Sequence, residues 1–571
     1  MDCVLGAKSW EVPDPRSEVE IGFDWIPPDT REPMTATIRP LQGATRRQAR
    51  WAPLFVLLFS IGAHAQHVED PFTPGLRWSR ESGGATAWIP GRVQFADADQ
   101  LVWASSGALG VRLEAYSAWG SGAQEPLGGD ADFAQGALVW DLASSSEAAA
   151  LFALVHTPGV GSGPMSVQLA RYPAPSASVD SGQQPLWTVS SPAVPCGAAR
   201  IACDEIGERV CFAAWDSQNK RTHVRWHSAD DGSILAATEI AAGDVDQLVM
   251  SADGALTLAA DGHRVWVWDS SGALIHYEIL DNALRVADFD AGGDHLLLAH
   301  GPRARLLTRV AGGFLEIGRV DAAPSELAAC GALAESGGGW AVAWYHTVTG
   351  GARYELYGGM SQVLVAEHSQ IGSPRGLQNV PQAASITPDG ERVAFATWGA
   401  PSAPEVILLG AAQGGLLWSI DLPGSALDVA LDRAGRRIVV AHKSTHANEA
   451  ASDGEVRLYD TGEADLALVE VPRPGGVLTA ETLVPGASVA FFLFGSGVDA
   501  PQELPFLEGE LWVSLHSRLV IRARRPDASG RAQCELELPL GLEGTEVATQ
   551  VVARIAGGLV ASETHLGVRP R

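Results

Sequence analysis

Through the middle of the chain, short apolar runs are cut at regular intervals by turns built on glycine. Cys203-Asp-Glu-Ile-Gly207 leads into ERVCFAAW, which ends at Trp215, and Ile386-Thr-Pro-Asp-Gly390 leads into ERVAFATW, which ends at Trp398. Further copies are MSADG (250–254) before ALTLAA, DFDAGG (288–293) before DHLLLAH, ALAESG (332–337) before GGWAVAW, and LDRAG (431–435) before RRIVVAH. Each copy reads as a strand, a tight turn, and a second strand rich in Val, Leu, Phe and Ala. Glycine permits the positive φ that the turn needs, and aspartate caps the turn locally, so the pattern predicts a β-hairpin. A third strand follows in RVWVWD (264–269) and EVRLYD (455–460), and a fourth in GLLWSI (415–420).

The turn glycines 207, 254, 293, 337, 390 and 435 lie 39 to 53 residues apart. Four strands at that period predict a blade of a β-propeller. Two weaker units fit upstream, near 93–106 and 136–156. The ring is expected over 84–471, where eight blades match the spacing better than seven. The strand LRWSR (76–80), inside an N-terminal segment at 66–83, resembles the fourth-strand segments LWSI (417–420) and LWTV (186–189). It is expected to pair with the last blade and hide the sheet edges there.

These units resemble the WD40-like and quinoprotein-like β-propeller families, through the pattern φ-x-x-Asp-Gly-x-x-φ-x-φ-Ala. The Gly-His pair of true WD repeats is absent. The resemblance implies an all-β ring that binds partners, with catalysis at a central channel in some members. Ser228-Ala-Asp230-Asp-Gly232 also matches the turn of sialidase-type Asp boxes, a folding device between outer strands.

After VPRPG (471–475) the repeat stops. The remaining segment, 472–571, alternates apolar and polar residues with Gly, Pro and Asp at the breaks, which predicts a small antiparallel β-sandwich. Its runs PGASVAFFLFGSG, DASGRAQCELELP and VVARI resemble a C-terminal module of exported proteins of planctomycete-type bacteria.

At the other end, Arg39, Arg46, Arg47 and Arg50 precede the apolar run 51–65, which closes on Ala63-His64-Ala65. A basic end, a short apolar core and small residues at the cleavage point predict a signal peptide at 34–65, with cleavage after Ala65. Residues 1–33 are acidic and precede Met34, so they read as a mis-assigned leader. No other segment reaches membrane-spanning length. The expected product is exported to the periplasm, the cell surface or the medium.

Charge narrows the partners. The 571 residues carry 67 acidic and 40 basic side chains, a net charge of −27, and only three lysines. This balance excludes a generic nucleic-acid binder, which needs a basic face for phosphates.

The second strands of the repeats end, within one residue, at His156, Trp215, His300, Tyr345-His346, Trp398 and His442. Equivalent strand ends in a propeller share one face, so these residues are candidates for binding a transition metal or a planar ligand. A local hydrogen bond under a connecting loop explains each of them as well. Asp288, Asp290 and Asp294 are carboxylates that could hold calcium, and a solvated hairpin accounts for them equally. Cys203 and Cys211 flank one turn and admit a disulfide in an oxidising compartment. No HExxH, GxSxG or P-loop occurs, nor the cysteine pair of a pyrroloquinoline quinone enzyme. The reading is therefore an exported, non-enzymatic propeller that binds a protein or glycan on one face. The alternatives are a propeller enzyme or metal/redox protein using the histidine-rich face, and a structural component of the cell surface.

Overall fold

A computed structural model describes most residues between 74 and 568, and the expected leader and signal segment lie outside them. The chain divides into two compact units, Val68–Glu463 and a unit that includes Ala464–Arg571.

Among the described residues, the first unit contains eight sheets, antiparallel except for a short parallel pairing of Trp78–Ser79 with Gly122–Ala123. Blades 1 to 8 have their innermost strands at Arg92–Ala96, Leu138–Ser144, Ala199–Cys203, Gln247–Met250, Leu284–Phe289, Glu326–Leu333, Pro381–Ile386 and Ala426–Leu431. Within a blade the strands follow one another outward in chain order, as in blade 4: Gln247–Met250, Leu256–Ala260, Arg264–Asp269, Leu274–Ile279. Both faces of each blade are apolar because each packs on a neighbour. Cys211, Trp226, Leu248 and Trp268 form the core between blades 3 and 4. Leu408, Ile438 and Tyr459 do so between blades 7 and 8, and Phe95, Val102, Val439 and Leu458 between blades 8 and 1. Blade 8 thus shares a core with blade 1, and the ring closes with eight members.

The closure is completed by Gly75–Glu81, which runs antiparallel to Gly454–Asp460 as the fourth long strand of blade 8. Trp78, 1% exposed, enters the core between blades 8 and 1. Pairing an early strand with the last blade removes an open sheet edge at the seam.

In blades 3, 4, 5, 7 and 8 the turns between first and second strands come in two versions. In blades 3, 5 and 8 the cap is an aspartate three residues before the glycine. Asp204 accepts from the amides of Glu208 (2.8 Å) and Arg209 (3.1 Å), Asp290 from His295 (3.0 Å), and Asp432 from Arg436 (2.6 Å) and Arg437 (3.1 Å). In blades 4 and 7 a hydroxyl takes that place. Ser251 accepts from Leu256 (3.0 Å) and Thr387 from Arg392 (3.1 Å). Each hydroxyl donates to the aspartate just before the glycine, Ser251 to Asp253 at 2.7 Å and Thr387 to Asp389 at 2.6 Å. The Asp-Gly pairs seen in the sequence therefore mark only the hydroxyl version, in which the aspartate acts through its neighbour.

The second unit is also all strand among its described residues. One sheet orders Leu507–Glu508, Gly558–Val568, Val547–Ile555, Val489–Gly495 and Val520–Arg524, and another orders Leu466–Leu468, Val477–Leu483 and Arg531–Glu537. Val498–Glu503 pairs with Glu510–Val513. Alternation places Ala532 and Cys534 inside while Gln533 and Glu535 face out. Leu466–Leu468, which the end of the repeat at 471 assigned to the ring, pairs instead with Val477–Leu483 of this unit. No helix among the described residues is long and apolar enough to cross a membrane.

Candidate functional site: the channel and its two faces

Antiparallel order gives the ring two unlike faces. The innermost strands all begin on one face, where the second and fourth strands end; it is called the loop face here. The glycine turns lie on the other, the turn face.

His156, His300 and His442 end the second strands of blades 2, 5 and 8, opposite Leu138, Leu284 and Ala426 at the start of the innermost strands. They are 2%, 2% and 0% exposed. His156 stacks on Trp140 with ring centroids 4.4 Å apart. His300 Nδ1 lies 3.1 Å from Asp281, and His442 Nε2 lies 3.6 Å from Glu455. The His442 ring and the Arg457 guanidinium hold the Glu455 carboxyl down to about 2. Burial pushes His156 and His300 below the ordinary imidazole value, so both are neutral at pH 7. The fold places the three histidines at equivalent positions on separate blades and does not bring them together. Among the described residues, no three His, Cys, Asp or Glu side chains gather as a metal-binding group.

The other strand-end candidates reach the surface. Trp215 is half-buried beneath Lys220, whose ammonium sits 5.3 Å from its ring. Tyr345 and His346 are half-buried at the end of blade 6's second strand. His346 Nδ1 accepts from the amides of Val348 and Thr349 at 3.3 and 3.2 Å, and its Nε2 lies 3.1 Å from the Ser325 hydroxyl. Trp398, also half-buried, meets His446 edge to face at 6.1 Å.

Two of the three carboxylates considered for calcium have separate structural tasks. Asp288 accepts the amide of Leu333 in the next blade at 2.9 Å, and burial pushes its carboxyl up to about 6. Asp290 caps its own turn and contacts His295 Nδ1 at 2.7 Å, while Asp294 is exposed. The bond from Asp288 has counterparts. Asp141 accepts from Ile201 (3.3 Å), Asp428 from Val93 (3.0 Å) and Ser385 from Leu431 (3.0 Å), in each case from blade n to blade n+1. An innermost strand has no sheet partner on its channel side, so these side chains cap amides that would otherwise lack a bond. The Arg92 guanidinium lies 3.8 Å from Asp141 and 4.0 Å from Asp428 and so joins blades 8, 1 and 2 on the channel wall. The sequence signal for this lacing is an acid or hydroxyl inside an apolar first strand, as in LVWDLAS, LRVADF and ALDVAL.

Cys203 and Cys211 are both free thiols, which corrects the disulfide expectation. Cys203 pairs with Val210 and Cys211 with Ala202, one position apart in register. Side chains alternate faces along a strand. Cys203 therefore packs between blades 2 and 3, and Cys211 between blades 3 and 4.

Turn-to-turn bonds, which no motif announced, lock the turn face. The Glu205 amide donates to Ala252 (2.9 Å), Asp253 to Ala291 (3.2 Å), Ala291 to Glu335 (2.9 Å), and Ser336 to Pro388 (2.9 Å), linking blades 3 through 7. The Asp-box turn has a comparable task near the rim: Trp187 Nε1 of blade 2 donates to the Ala229 carbonyl of blade 3 at 2.8 Å.

No family model matches the chain, and no curated protein matches it. Among solved structures, it is similar to the C-terminal WD40 domain of Sif2 at 13% identity, over 68% of this chain and 96% of that one, with a TM-score of 0.45. Seven four-stranded sheets and one five-stranded sheet among the described residues, their shared cores and the closing strand define the class: an eight-bladed, all-β propeller.

Proposed function

We propose that this chain is a non-enzymatic binding protein whose partner, a protein or a glycan, docks on the loop face. The observation that carries this reading is the contrast between the faces. The turn face spends its backbone groups on neighbouring turns, whereas the loop face presents Trp215, Tyr345 and Trp398 half-exposed. Beside them Leu327 is 40% exposed and Val348 65% exposed. Aromatic and apolar side chains that are partly free at a rim are the usual anchors of protein recognition, and aromatic faces also stack on sugars. The basic–apolar–small pattern ending at Ala65 supports export, and the C-terminal unit then serves as an accessory module of an exported protein.

A photo-crosslinking residue placed at Val348 tests the docking reading. It is expected to capture a partner from the compartment in which the protein resides, while the same residue at Ile206 on the turn face captures none. Equal capture at both positions removes the reading. N-terminal sequencing of the protein recovered outside the cytoplasm tests export, with Gln66 expected as the first residue.

A further inference from the structure

One arginine joins blades that the ring keeps apart. Arg433 lies in the first turn of blade 8, and its amide donates to Asp99 of blade 1 at 2.9 Å. Its guanidinium forms ion pairs with Glu205 in the first turn of blade 3 and, at 3.1 Å, with Glu335 in the first turn of blade 6. Around the ring, blade 8 is three joints from blade 3 and two from blade 6, and blades 3 and 6 are three joints apart. Turns that far apart on a circle can share one side chain only if that side chain lies over the mouth of the channel. Glu205 and Glu335 are themselves fixed, since their backbone groups belong to the turn-to-turn chain described above.

We propose that Arg433 is a built-in strap across the turn-side mouth. It closes the channel at that end and ties three non-adjacent blades at one point. The two carboxylates also offset the guanidinium's charge where it is only 38% exposed. A channel closed at one end gives a partner's inserted side chain a floor, and this conclusion stands whether or not the docking reading of the loop face does.

Two experiments on the full chain test the strap. The first is Arg433→Ala, followed by thermal unfolding with and without millimolar propylguanidinium. The midpoint is expected to fall by about 2 °C or more and to recover by at least half with the probe. The same concentration of sodium chloride is expected to restore nothing, and Arg433→Ala/Glu335→Gln is expected not to respond to the probe. An unchanged midpoint, or recovery that does not need Glu335, overturns the proposal. The second experiment holds even if Arg433→Ala does not fold. Glu205→Cys/Glu335→Cys is treated with a short bis-maleimide and mapped by peptide mass. A crosslink within one chain is expected, because both positions lie within one guanidinium's reach. Single adducts alone overturn the closed mouth.

Discussion

The turn face and the loop face are made by the same repeat, yet they are held in different ways. On the turn face the first-to-second-strand turns of blades 3, 4, 5, 7 and 8 are a few residues long and capped by their own Asp, Ser or Thr, and those of blades 3 to 7 bond to one another in a chain. On the loop face the connections differ in length, from the short link at 301–302 in blade 5 to 444–453 in blade 8. Some stabilise themselves locally, as His346 does for its own loop, and others lean on a neighbour, as His446 does with Nε2 3.0 Å from the Gln378 carbonyl of blade 7. The difference shows which part of the repeat is fixed by ring closure. A turn that must meet two neighbours at a fixed height tolerates little change, whereas loops of unequal length leave more room to be altered for a partner.

The largest effect should come from Asp432, where cap and ion pair coincide. Besides two amides it binds Arg437 Nε at 2.9 Å, with both side chains under 10% exposed. Arg437 also donates to the Ala118 carbonyl of blade 1 at 3.1 Å. Asp432→Ala leaves a buried guanidinium without this carboxylate and should cost about 3–5 kcal/mol in denaturant unfolding. A loss below about 1 kcal/mol would mean that the turn face is not the rigid side. Gly390→Val should follow at roughly 2–3 kcal/mol. Gly390 has φ +80°, and a Cβ there would lie 2.4 Å from the Gly339 amide of the adjoining turn.

The glycine spacing made the ring and its blade number legible, because each glycine answers a local need for positive φ. The turn caps were half legible. Asp253 and Asp389 stand out beside their glycines, while Asp204, Asp290 and Asp432 do the capping without that signature. The histidine positions were legible as strand ends, because equivalence in a repeat fixes height in the blade, though not proximity across the ring. Arg433, Glu205 and Glu335 carried no signal, since their contacts run between blades far apart in sequence.

The two faces should also respond to acid in opposite directions. His156 and His300 on the loop face titrate below their unfolded value of 6.5, so the unfolded chain binds more protons as the solution is acidified. The stability tied to them is full above pH 6.5 and is lost as pH falls below it. Asp99 on the turn side is pushed up to about 6, by burial first and then by Asp432. Its contribution is present below the unfolded value of 3.8 and is lost as pH rises through 6. Between pH 7.5 and 5.5, wild type should therefore lose more stability than His156→Leu/His300→Leu, by about 1–2 kcal/mol. Parallel pH profiles from urea unfolding would show that these histidines do not set the acid response.

The smallest effect on stability should accompany the largest effect on recognition. Val348 is exposed and has no core neighbours to lose, so Val348→Ser should move the unfolding midpoint by no more than about 0.5 kcal/mol. Trp215→Ala removes a half-buried ring and its Lys220 contact, and should cost about 1 kcal/mol. If the loop face is the docking surface, each change should weaken the captured partner at least tenfold, a cost of about 1.4 kcal/mol or more in binding. Glu391→Ala, an exposed change on the turn face, should leave binding unaltered. The comparison turns on this pairing of measurements. A loop-face variant that keeps its stability and loses its partner separates recognition from folding. A turn-face variant that loses the partner without unfolding would instead place the docking surface on the opposite face of the ring.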